Sequence, residues 1–182
     1  MSKNFDVHRL DVAAVAQQKA ALSGQAAVQD LPRLAQEALA LPPDLQVDWR
    51  VQGESRTAVD GSLRPALHLQ ASTGLPLTCQ RCMGEMRQTL AVDRHFIFVP
   101  NEETAEVLDD ASEDDVLVLV PDFDLLALIE DELLMALPLV PRHEHCPEPV
   151  RLSAQDAGFE AALEEVPHPF AALAVLKDGK PH

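Results

Sequence analysis

The sequence predicts an α+β fold: an antiparallel β-meander packed by a long helix in the C-terminal half, with N-terminal helices and an acidic loop. Three observations carry this. The hydrophobic period changes from helical to two at Leu45. Alternating apolar stretches then recur, with an Asp60-Gly61 pair between the first two that suits a tight hairpin turn. Finally, an apolar run from Phe123 to Leu137 follows a capping aspartate and is too long for a strand. A chain of 182 residues, 47% of them hydrophobic, suffices for one core with attachments.

Residues 1–44 form a predicted helical segment. Leu10 to Leu22 is rich in Ala with Gln17, Gln18 and Lys19, and Gly24 stands where a helix would stop. A second helix is expected over Leu31–Ala40, capped by Asp30, with Pro32 tolerated in its first turn and Pro42-Pro43 ending it. Residues 45–146 form the expected core of sheet plus helix. Leu45, Val47, Trp49 and Val51 alternate with polar residues, then Leu63, Leu67, Leu69 and Ala71, and finally Leu90, Val92, Phe96 and Phe98. Strict alternation puts Arg94 on the apolar face, which predicts a bulge or strand end there.

Asn101–Asp124 holds ten acids and neither Lys nor Arg, so residues 101–115 are expected to form a mobile acidic loop. Val116–Val120 reads as a short, fully buried strand ended by Pro121. Asp122 can cap the helix Phe123–Leu137. Residues 147–182 are a Pro-punctuated tail, with a short helix expected near Ser153–Glu165 and an amphipathic closing piece over Pro169–Lys177.

Charge narrows the function. The net −16 lies entirely in residues 101–182, because residues 1–100 hold ten acids and ten bases. This asymmetry suits an acidic surface that meets a basic partner, and equally acid-rich loops that merely keep a protein soluble. It argues against a whole-molecule nucleic-acid binder, which needs a basic footprint to displace counterions. Locally, Arg50, Arg64 and His68 share the strand face opposite the core, and every Lys or Arg from Arg50 to Arg94 is an arginine. Such a face either contacts RNA phosphates or simply solubilises the sheet. Apolar runs do not exceed seven residues, far short of a membrane span, and the first residues lack a signal-peptide profile. A cytoplasmic protein with no membrane partner is expected.

Cys79-Gln-Arg-Cys82, followed by Gly84, is the sharpest motif. Two thiolates at this spacing can hold one metal from a tight turn, and Gly84 would relieve the backbone. A closed zinc site needs four ligands. The third cysteine is Cys146, with His143 and His145 beside it, and Cys79, Cys82, Cys146 and His145 would complete a structural site joining the hairpin to the segment after the long helix. Reduced, metal-free cysteines and a thiol redox pair are the alternatives. The sequence contains no GxSxG, Walker A, GxGxxG or HExxH motif, so no enzyme is predicted. Base-stacking surfaces are also poor, with no Tyr and one Trp.

Several landmarks occur in one order: Leu77-Thr-Cys79-Gln-Arg-Cys82, the acidic stretch, Asp124 to Pro141 with its Leu-rich centre, His145-Cys146, and Pro169 to Lys177. Together they resemble the bacterial YceD family of large ribosomal RNA subunit accumulation proteins. The resemblance implies a cytosolic role in synthesis, processing or stability of 23S rRNA, and brings no catalytic residues. Relatives often carry further cysteines after the Leu-Pro segment; here Cys146 stands alone, so a zinc site would need His145 as a ligand. Weighed against net −16, the expected mode is an acidic adaptor for a basic ribosomal protein or RNA-processing factor, reaching rRNA indirectly or through the local Arg face. The alternatives are a zinc- or thiol-dependent enzyme using Cys79 and Cys82, and an acidic holdase for a basic ribosomal protein.

Overall fold

A five-stranded sheet, in spatial order β1-β2-β3-β4-β5, organises the computed structural model. The structure describes residues 5–147, with Ala154 and Phe159 as isolated positions beyond them. The chain divides at Cys146/Pro147, and the description below concerns the first unit. The helix expected near Ser153–Glu165, apart from those two positions, and the piece over Pro169–Lys177 lie outside the described residues.

The three strands expected from alternation are β2 (Gln46–Thr57), β3 (Leu63–Thr78) and β4 (Glu85–Val99), joined as an antiparallel meander. Their odd positions in β2 and β3, such as Val47, Val51, Leu69 and Leu75, are fully buried and meet Leu90 and Phe96 of β4. The sheet is mixed, because β5 (Asp115–Val118) pairs parallel to β4. That strand is half-buried at the sheet edge, which corrects the expectation of a fully buried strand over Val116–Val120.

The N-terminal stretch is only partly helical. Helix α1 (Val12–Gln17) is capped by Asp11, whose side chain accepts the Ala14 N–H at 2.9 Å. It stops at Lys19, where φ is +49°, and the chain enters β1 (Ala21–Ala27), paired antiparallel to β2. This strand has weak β-propensity, so tertiary contact decides it. A Cβ at Gly24 would sit 2.7 Å from the Trp49 ring, so the bare backbone lets the indole lie against the strand. At Gly53 a Cβ would stand 2.3 Å from the Val15 carbonyl oxygen, so this glycine lets α1 seat directly on β2.

Helix α2 (Pro32–Glu37) is shorter than the expected Leu31–Ala40, and Asp30 does not cap it. Its cap comes from the other half of the molecule. Glu130 accepts the N–H groups of Arg33 and Leu34 at 2.7 and 3.2 Å and the Arg33 Nε–H at 2.9 Å. Helix α4 (Leu125–Met135), which supplies Glu130, is also shorter than expected. Its N-cap is Asp124, which accepts from Leu126 and Ala127, whereas Asp122 pairs with Arg9. Leu125, Ile129 and Leu133 of α4 enter the main core with Leu34 of α2 and Val15 of α1.

The acidic loop expected over 101–115 contains a helix, α3 (Glu102–Asp109). Asn101 caps it by accepting the Thr104 N–H at 2.9 Å, and Glu102 and Glu103 favour its first turn through the helix dipole. Ala105 and Leu108 are buried with Ala58 and Val99 in a small second cluster. A parallel β4–β5 pair requires a crossover connection, which is the role of α3. Arg94 causes no bulge: the β3–β4 register runs unbroken from Ala66↔Ile97 to Thr78↔Glu85. Its guanidinium instead meets Asp115 at 2.5 Å and the buried Glu132 at 3.6 Å.

Candidate functional site: a cysteine–histidine cluster

The β3–β4 hairpin closes through Cys79–Gly84. Cys79 donates its N–H to the Gly84 carbonyl at 2.9 Å and accepts at its own carbonyl from Met83 at 2.8 Å. The left-handed residue of this turn is Met83, with φ +60°, rather than Gly84. Cys79 is fully buried and Cys82 half-buried.

A second segment is laid across this turn. After α4, the chain from Leu137 to Cys146 contains no helix or strand and is pinned by named bonds. Gln80 donates its N–H to the Pro141 carbonyl at 2.8 Å, and His143 donates its N–H to Cys79 Sγ at 3.4 Å. Arg81 donates to the carbonyls of His143 and Glu144 and, at 3.2 Å, to Cys146 Sγ. The result places one ligand atom each from Cys79, Cys82, His143 and Cys146 within 4.8 Å of one another. Of the expected set, Cys79, Cys82 and Cys146 come together and His145 does not. The chain bends at Glu144-His145, which leaves His145 exposed and turns His143 to the thiols. Sequence spacing alone showed both histidines beside Cys146; only the bend chooses between them.

The imidazole of His143 is oriented. Its Nε2 lies 3.1 Å from the Glu85 carbonyl oxygen, which can only accept, so Nε2 carries the proton. Nδ1 is left with its lone pair, 3.4 Å from Cys82 Sγ. The thiols differ as well. Burial by itself would raise Cys79, but N–H groups of Cys82, His143 and Arg81, with the Cys82 thiol, hold it down at about 5. At Cys82 the Gly84 N–H pulls downward, while burial and the neighbouring Cys79 and Cys146 sulfurs outweigh it and push the thiol up. Three sulfurs and one imidazole nitrogen form a donor set that could hold a soft or borderline metal ion.

Elsewhere, the sheet face away from the main core pairs some of its cations internally. Arg56 reaches Asp114 at 3.0 Å and Arg64 reaches Asp60 at 3.2 Å, whereas Arg50 and Arg87 are exposed and form no ion pair among the described residues. His68 and His95 stack at 4.1 Å, each on its own carboxylate, Asp93 and Glu54. The acids divide similarly. Asp114, Asp115, Asp122, Asp124, Glu130, Asp131 and Glu132 all face a basic side chain. By contrast Glu102, Glu103, Glu106, Asp109, Asp110 and Glu113 are exposed and form no ion pair among the described residues. Val107, 72% exposed, stands among them.

Comparison with known proteins adds the family. Residues 67–177 match the model of a family described as Large ribosomal RNA subunit accumulation protein YceD. The chain is similar to the protein of that description from Haemophilus influenzae, 33% identical over 169 residues, covering 89% of this chain and 90% of that one. No solved structure matches it.

Proposed function

The chain belongs to the YceD family of large ribosomal RNA subunit accumulation proteins, and from that premise we propose that it is a non-enzymatic cytoplasmic factor supporting synthesis, processing or stability of 23S rRNA. It acts as an acidic adaptor for a basic ribosomal protein or RNA-processing factor. The observation that carries this reading is the row of unpaired carboxylates on α3 and the turn after it, from Glu102 to Glu113. The acids from Asp114 to Glu132 are matched within the molecule, so between Glu102 and Glu132 the carboxylates without an ion pair gather on α3 and the turn after it. The exposed Val107 gives a cationic partner an apolar contact amid the charge. The Arg side of the sheet contacts RNA at most locally, since Arg56 and Arg64 are already ion-paired and Arg50 and Arg87 are left for such a contact. No described helix is long and apolar enough to cross a membrane.

The lowered Cys79 thiol favours a second reading, a thiol-dependent enzyme. Burial supports the adaptor reading instead, because a nucleophilic or redox thiolate must be reached by its substrate and Cys79 is 0% exposed, with Cys82 half-buried beside it. In the adaptor reading the cluster is a fastening, and zinc is the ion proposed for it.

The test uses purified full-length chain against a panel of purified basic large-subunit ribosomal proteins and 23S fragments, across salt. Neutralising Glu102, Glu103, Glu106, Asp109 and Asp110 to their amides should weaken binding to the cognate basic protein by at least about tenfold at low salt. The reading fails if binding to every basic protein is absent or unchanged by neutralisation, or if the chain binds 23S fragments tightly with a steep salt slope.

A further inference from the structure

We infer that the cluster is a closed zinc site of three thiolates and one imidazole, with Cys79, Cys82 and Cys146 giving Sγ and His143 giving Nδ1. This rests on the reading of the cluster as a fastening and specifies its ligands and its electrostatics. Four soft or borderline donors from segments some sixty residues apart in sequence converge within 4.8 Å, close to the spacing of ligands around one tetrahedral ion. Zinc–sulfur bonds of about 2.3 Å place neighbouring sulfurs somewhat under 4 Å apart, so only a small contraction is needed.

The orientation of His143 is the sharper evidence. The Glu85 carbonyl fixes the proton on Nε2 and leaves Nδ1, beside Cys82 Sγ, as the ligand atom. A ligating histidine whose other nitrogen donates to a carbonyl is the usual outer-shell arrangement of a zinc site. His145 cannot take this place, because the bend at Glu144-His145 leaves it in solvent.

Charge closes the argument. Three thiolates around a divalent ion leave one net negative charge, and the Arg81 guanidinium, 3.2 Å from Cys146 Sγ, offsets it. The N–H of His143 donates to Cys79 Sγ, further stabilising a thiolate there. Four protein ligands leave no open coordination position, so the ion holds structure. Its effect is to clasp the chain before Pro147 onto the β3–β4 turn, since that stretch has no regular structure of its own.

The test uses the full chain purified anaerobically under reductant and supplied with zinc or cobalt. One zinc per chain is expected. The cobalt form should show sulfur-to-metal charge transfer for three thiolates and the visible bands of a tetrahedral ion. Long-range proton–nitrogen NMR of the zinc form should place the His143 proton on Nε2. His143→Ala should weaken zinc retention against a chelator by roughly a hundredfold or more, while His145→Ala leaves it unchanged. Sub-stoichiometric zinc after reconstitution overturns the site, as does loss on His145→Ala with retention on His143→Ala. A cobalt spectrum with an open or five-coordinate ion overturns the fastening reading itself. The adaptor reading is judged separately, by binding to basic proteins.

Discussion

At the scale of single residues, Cys79 and Cys82 play the same part, each offering a sulfur to one cluster. Cys79→Ser should release the metal and lower the melting temperature under reducing conditions. In chelator, the difference between variant and parent should shrink to under about 1 kcal/mol, because metal binding and folding are linked. A redox role would instead remove an activity and leave melting unchanged. Glu132 makes a different prediction. Burial raises its carboxyl; Arg94 pulls it back, and Asp115 and Asp131 raise it further. The folded chain therefore holds this proton more tightly than the unfolded chain. The ionised group subtracts from stability above its folded titration point, and the subtraction fades as pH falls through that point. Glu132→Gln should melt about 2–4 °C higher at pH 7 and match the parent near the ordinary glutamate value of about 4.3. A melting temperature lowered equally at both pH values would contradict this. The three cysteines were legible because CxxC spacing and rarity single them out. Choosing His143 over His145 was not, because that choice depends on one bend that spacing does not encode.

At the scale of elements, Glu130 ties two helices that lie about a hundred positions apart in sequence. It caps α2 from within α4, so Glu130→Ala should orphan the Arg33 and Leu34 N–H groups and cost about 2–3 kcal/mol in denaturant unfolding. Glu130→Gln keeps an acceptor and should recover more than half of that loss. Equal losses from both variants would show that charge, not capping, is what matters. Asp30 suggested itself as the cap because it is local; a cap supplied across the fold leaves no trace in nearby sequence. The long strands were readable for the opposite reason. Alternation in β2, β3 and β4 is a local record of which face is buried. Strand β1 is rich in Ala and Gly and takes its conformation from Trp49 and β2, so helix propensity misled there. Helix α3 was hidden because its acids outnumber the two residues, Ala105 and Leu108, that bury it.

For the whole molecule, a net charge of −16 makes self-repulsion a measurable quantity. Raising salt from about 10 mM to about 150 mM shortens the Debye length from roughly 30 Å to roughly 8 Å and should raise the melting temperature. The variant with α3 neutralised should show a smaller rise, and an equal rise would place the repulsion elsewhere. The same salt change should weaken binding to a basic partner, so stability and association should move in opposite directions. That the acids form an imbalance was plain from counting. Which of them form no ion pair was not, since for Asp114 to Glu132 it depends on His8, Arg9, Arg33, Arg56 and Arg94 arriving from other elements.

Strand β4 runs from Glu85, beside the thiols, to Val99, just before α3. At about 3.3 Å per residue, these fifteen residues make a spacer of roughly 45 Å along the strand. The clasp and the carboxylate row are thus held at opposite ends of one rigid bar. Something gripping the carboxylate end need not disturb the sulfurs at the other.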